Sequence, residues 1–156
     1  MTRNMTTTVS PAVLTTAFYA FCDTHRPVYL AYAAARLEPE DAHLAVACLF
    51  DLIASNWSEI VKMPRPAAWA WRQHTHTVAR RSGRPTTAAD DAALLHERLD
   101  LSVDQIATVT GAEPAAVTAL LAAARRGHPD DESAAGRVVP ATPRWASVVR
   151  GRGYER

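Results

Sequence analysis

The sequence predicts an all-α fold of two small helical domains, and three observations carry the expectation. Alanine supplies 31 of the 156 residues, and it costs a helix less than any other residue. Apolar side chains recur at three- and four-residue spacing along most of the chain, the period of a helix with one buried face. Between those stretches stand prolines and glycines at positions that start or stop helices.

Taken in order, Ser10-Pro11 opens a first helix, because proline at the first helical position loses an N–H that has no partner anyway. Val13, Leu14, Ala17, Phe18, Phe21 and Cys22 form its stripe, and it runs to about Thr24. A second helix covers about Pro27 to Leu37, and Glu38-Pro39 breaks it. The third, about Glu40 to Ser55, carries Leu44, Ala47, Cys48, Phe50, Leu52 and Ile53. Asn56 to Pro66 reads as a loop and Ala67 to Ser82 as a fourth helix. These elements make a domain over 10–82, followed by a linker at 83–87. Beyond it, Ala88 to Leu99, Ser102 to Val109 and Pro114 to Arg126 form a second domain over 88–127. Ser102 and Gln105 have the spacing of a capping box, and Gly111 suits a positive φ at the helix end. The Gly-, Pro- and charge-rich tail 128–156 is expected to be disordered or docked on a partner, with Trp145, Val148 and Val149 as its anchors.

Composition narrows the function classes. No apolar run reaches the roughly 18–20 residues of a membrane helix, and Met1 to Ser10 is polar, so a cytoplasmic protein without a membrane partner is expected. Cys22 and Cys48 lie inside apolar patterns without metal-binding spacing and read as buried thiols. The net charge of +1 conceals strong blocks: −3 over 1–61, +6 over 62–84, −5 over 85–113 and +3 over 114–156. The all-cationic block interleaves Lys62, Arg65, Arg72, Arg80, Arg81 and Arg84 with Trp69, Trp71, His74 and His76. Cations that pair with phosphate and planar rings that stack on bases are the ingredients of a nucleic-acid surface. A solvated helix face with core tryptophans has the same composition.

In the second half, Leu101, Ser102, Ile106, Ala107, Gly111, Val117 and Leu121 have helix-turn-helix spacing, with the glycine making the turn. With Ala124 and Arg125, these residues resemble region 4 of RNA polymerase sigma factors of the extracytoplasmic-function type. The first half is similar to region 2 of that family through His25, Leu30-Ala31-Tyr32-Ala33, Glu40-Asp41-Ala42 and Ala68-Trp69-Ala70-Trp71-Arg72. The resemblance spans about 18–126. It implies a region 2-like bundle joined to a region 4-like domain, with RNA polymerase core and promoter DNA as partners, and an anti-sigma or other regulatory protein as a further one.

The resemblance also assigns residues. Arg65, Trp69, Trp71, Arg72, His76, Arg80 and Arg81 would face melted promoter DNA, and Thr118, Arg125 and Arg126 would lie on the second DNA-reading helix. Leu44, Ala45, Ala47, Cys48 and Asp51 would meet the protein partner, although the family's polar pair there is replaced by apolar residues. The last helix lacks mid-helix Lys and Arg, having Thr118, Leu120 and Ala123 instead, whereas reading guanine edges usually calls for such side chains. An alternative therefore stands beside the first reading: a sigma-like regulator that has lost promoter recognition and works by binding proteins.

Catalytic readings find no support in the pattern, and no cofactor or metal is expected. His74 and His76 stand two apart on a helix and point away from each other. Asp90-Asp91 marks a helix start, where carboxylates cap.

Overall fold

The computed structural model describes residues 8–127, whose regular elements are all helices, with no strand among them. The tail 128–156, with the expected docking anchors Trp145, Val148 and Val149, lies outside the described residues.

Helix α1 spans Pro11–Ala34 as one element, where the spacing predicts two helices separated near Thr24. Its buried residues Phe21, His25, Tyr29, Tyr32 and Ala33 continue at helical spacing straight across Pro27. An internal proline costs about 3 kcal/mol and one backbone hydrogen bond. Burying a large apolar side chain contributes roughly 1.5–3 kcal/mol, so a stripe of several such residues outweighs the proline.

Helix α2 (Pro39–Ser55) begins with proline in its first turn, beside Glu40 and Asp41 where the helix dipole favours acids. The short α3 (Trp57–Ile60) occupies part of the stretch expected as loop. Tertiary contacts hold it there: the Trp57 indole N–H donates to the Leu14 carbonyl at 2.8 Å, and its ring meets Phe18 and Phe21 with centroids 5.6 and 5.5 Å apart. Helix α4 (Pro66–Ser82) ends at Gly83, whose φ of 67° closes it.

In the second half, α5 is only Ala88–Ala93, capped reciprocally by Thr87 and Asp90. The chain then widens into a π-helical turn, Leu94–Arg98, instead of remaining α-helical to Leu99. The turn is closed by the Leu99 N–H on the Leu94 carbonyl and by the His96 Nδ1–H on the Leu101 carbonyl. Helix α6 (Val103–Thr110) carries the expected Ser102–Gln105 capping box and ends at Gly111 with φ 70°. Helix α7 (Pro114–Gly127) follows.

Helix α1 packs on α2, α2 on α4, α4 on α6, and α6 and α5 on α7. One buried cluster runs through both halves, from Phe21 and Tyr29 through Trp71 and Val78 to Leu95, Ile106 and Val117. Gly111 fits this packing closely: a Cβ there would stand 2.3–2.8 Å from the backbone and Cβ of Ala68. The turn between α6 and α7 thus rests directly on the first turn of α4.

A polar network pins the connection between the halves. The Tyr32 and Thr86 hydroxyls both donate to Asp91 Oδ1 at 2.6 Å. The Arg36 guanidinium donates to the Tyr32 hydroxyl at 3.0 Å and to the Arg84 carbonyl. Of the Asp90-Asp91 pair, then, only Asp90 caps the helix, while Asp91 is buried and ties α5 to α1.

Candidate functional site

The cationic segment 62–84 is mostly helix α4, so helical spacing decides which side chains share a face. Trp69, Arg72, His76 and Arg80 follow one another at three, four and four residues and form one outward stripe. Trp69 is half-buried and the other three are exposed. Among the described residues, Arg72, His76 and Arg80 make no ion pair. The charge of the two arginines is uncompensated locally.

Arg65 and Arg81 are engaged differently. Arg65 pairs with Glu113 at 3.1 Å, linking the start of α4 to the start of α7. Arg81 pairs with Asp41 at 3.7 Å, linking α4 to α2. Both pairs are largely solvated, so each contributes little to stability and can open toward another anion.

Trp71 is a correction to the expected nucleic-acid surface. It is 9 % exposed and packs among Tyr29, Tyr32 and His74, with ring centroids 4.9–5.9 Å away. A base cannot stack on a ring held within the core. Trp69 and Trp71 are two residues apart on a helix and therefore face different ways, so one joins the stripe and the other the interior.

Beneath the stripe lies a buried aromatic and histidine layer. His74 is fully buried, stacks on Tyr29 at 4.6 Å, and donates its Nε2–H to the Tyr29 carbonyl at 2.8 Å. Its Nδ1 has no hydrogen-bond partner among the described residues. Burial lowers the His74 pKa to about 4, so the ring is neutral at physiological pH. Burial lowers that of His25 as well. The Tyr32 hydroxyl is pushed up to about 12, first by burial and then by Asp91.

On α7, Thr118 is exposed, but its hydroxyl donates to the Pro114 carbonyl of its own helix at 3.1 Å. Arg125 and Arg126 are exposed at the far end of the helix. Ala115, Ala116 and Ala119 complete the outer face, which holds no cation before Arg125.

The residues expected to meet a protein partner divide in the same way. Leu44, Ala47, Cys48 and Asp51 are exposed on the outer face of α2, joined by Leu52, and Leu44 and Leu52 are 51 % and 44 % exposed. Ala45 is the second correction: it is fully buried on the opposite face, with Val46 and Leu49. Cys48 is exposed and Cys22 half-buried, so neither thiol is fully buried as the apolar pattern suggests.

Between α4 and the second half lies a cleft of about 380 Å³, lined mainly by apolar side chains including Ile106, Val117 and Leu120. Arg72 and Asp91 also border it. Helical spacing within α4 gives no sign of this cleft, since its other wall lies some 15 to 50 residues further along the chain. Among the described residues no group of three or more His, Cys, Asp or Glu side chains is placed to hold a metal, and no single helix is long and apolar enough to cross a membrane. The chain matches no family model, no curated protein and no solved structure.

Proposed function

We propose that the chain is a cytoplasmic, sigma-factor-like transcription protein that binds RNA polymerase and promoter DNA, chiefly through its first half. The observation that carries the reading is the exposed stripe Arg72–His76–Arg80, whose arginines make no ion pair among the described residues, with Trp69 at its edge. Clustered cations attract the phosphate backbone, and an adjacent ring can stack on an unpaired base. The sequence resemblance supplies the partner classes. The exposed Leu44, Ala47, Cys48 and Asp51 face of α2 is the polymerase-binding surface in this reading, a helix face with an apolar centre and polar rim.

Initiation in vitro tests it. Purified chain added to core polymerase should support initiation from a cognate promoter, and Arg72→Glu with Arg80→Glu should abolish it. Initiation unchanged by this charge reversal overturns the assigned surface.

A second reading has its own support in the outer face of α7, which offers alanines and a self-bonded threonine where base edges call for forked donors. In it the chain is a sigma-like regulator acting through protein contacts alone. Recovery of a stoichiometric non-polymerase protein with the native chain, and no promoter binding, would favour this alternative.

A further inference from the structure

Among the described residues, the large exposed apolar side chains fall in two places: Val9, Val13 and Tyr19 near the start of α1, and Leu44 and Leu52 on α2. Their electrostatic settings differ. The first 22 residues contain no acid, whereas α2 contains Glu40, Asp41 and Asp51, follows Glu38, and has no lysine or arginine. Only Asp41 of these four is paired, with Arg81, among the described residues. Leu44, Cys48 and Leu52, four residues apart, thus form an apolar strip with unpaired carboxylates at both ends.

The chain carries a segment of complementary chemistry. Residues 133–154 contain Arg137, Arg144, Arg150 and Arg152 and no acid. Within them Trp145, Val148 and Val149 recur at i, i+3 and i+4, the spacing by which a short amphipathic segment lays one apolar face on a helix groove. Arginines flank the three anchors on both sides, matching the carboxylates that flank the α2 strip.

From these observations we infer that residues 144–152 dock on the outer face of α2, with Trp145, Val148 and Val149 on the Leu44–Cys48–Leu52 strip and the arginines toward Glu40 and Asp51. The cleft beside α4 is a poorer seat for this segment, because Arg72 borders it and the cationic stripe adjoins it. Tether length permits the docking. Trp145 lies 18 positions after Gly127, which sets an upper limit of about 59–65 Å on its reach. A folded unit of this size measures about 35 Å across. Covalent attachment also holds the segment at roughly millimolar effective concentration, so a weak contact is well populated.

The docked segment would shield the face that the proposed function gives to polymerase, making the chain its own competitor. That consequence rests on the proposed function; the docking does not. Cys48 lies within the strip and is its natural reporter. Alkylation by iodoacetamide, followed cysteine by cysteine in the full chain by mass spectrometry, compares the natural sequence with Trp145→Glu plus Val149→Glu. Cys22, half-buried and with its thiol pKa raised by burial, is the internal control.

Docking predicts Cys48 modification about five-fold faster in the double variant, from effective concentrations of this order, with Cys22 unchanged. Equal Cys48 rates in the two chains overturn the proposal. Protection that fades on dilution overturns it as well, because a second copy would then be the occupant. The measurement involves neither polymerase nor DNA, so its failure is distinct from failure of the proposed function.

Discussion

Helices α4 and α7 each bury one face and present another, yet their outer faces have opposite chemistry. That of α4 carries Arg72, His76 and Arg80, whereas that of α7 carries Ala115, Ala116, Thr118 and Ala119 and meets its first cations only at Arg125 and Arg126. Phosphate attraction needs only clustered positive charge, while base reading needs forked donors along the middle of the helix. By this criterion α4 carries the charge that the proposed DNA contact needs, whereas the middle of α7 carries no forked donor. A helix-turn-helix spacing therefore specifies how two helices meet and says little about what the second one reads.

The largest effect should come from separating the two helices. Gly111 and Gly83 have nearly the same positive φ, 70° and 67°. A methyl at Gly111 meets Ala68 of α4, while one at Gly83 meets nothing within 4 Å. Alanine in the left-handed region costs about 1–2 kcal/mol, and steric overpacking adds about 1–3 kcal/mol. Gly111→Ala should thus destabilise by about 4 kcal/mol against about 1–2 kcal/mol for Gly83→Ala, read by urea denaturation. Equal losses would mean that the turn does not bear on α4.

Next in size is the stripe itself. Replacing Arg72 and Arg80 by glutamate removes two charge-assisted contacts, each worth about 1.5 kcal/mol or more, and should weaken binding to partly melted duplex DNA about 100-fold. The slope of log affinity against log salt should shrink by about two, as two phosphate contacts are lost. Fluorescence anisotropy across a salt series reads both. The same reversal at Arg125 and Arg126 should cost less, and a larger effect there would invert the comparison.

How much of this was legible in the sequence follows from the range of each signal. The Ser102–Gln105 box and the Gly111 turn are set by neighbours within a few residues, and sequence reads them correctly. The exposed Leu44 and Cys48 and the buried Ala45 differ only in rotation about α2, and adjacent positions sit about 100° apart, so a run naming both Leu44 and Ala45 cannot lie on one surface. Trp69 and Trp71 pose the same difficulty, because α4 packs against both α2 and α6 and composition does not reveal which side docks. The continuity of α1 through Pro27 and the Tyr32–Asp91 bond, between residues 59 positions apart, are set by tertiary packing. No local pattern carries them.

Acid should distinguish the two helices by their buried faces. His74 lies under the α4 stripe, whereas the buried residues of α7 are Val117, Leu121 and Ala124, none of them titratable. With its folded pKa near 4 and an unfolded value near 6.5, His74 binds more protons in the unfolded chain between those limits. Its contribution is therefore full above about pH 6.5, falls progressively as pH drops toward 4, and is down by about 2 kcal/mol at pH 5. His25, lowered in the same direction, adds to the slope. Urea unfolding at pH 7 and pH 5 measures the loss, and His74→Gln should flatten most of it. An unchanged slope in that variant would place the acid sensitivity elsewhere.

The smallest expected effect is at Thr118, and it bears most directly on α7. Its hydroxyl is already committed to the Pro114 carbonyl, so Thr118→Ala removes an exposed local bond and offers no loss of base contact. DNA affinity should change by less than about two-fold, in keeping with the small effects of surface substitutions. Thr118→Arg is the complementary arm: a guanidinium in mid-helix is worth about 1–3 kcal/mol if α7 lies in a groove and almost nothing if it stays clear of DNA. A tenfold loss in the alanine variant would make α7 a reader despite its alanines. A silent arginine variant would leave the α4 stripe as the DNA-facing surface and α7 as the packing element that holds Gly111 against it.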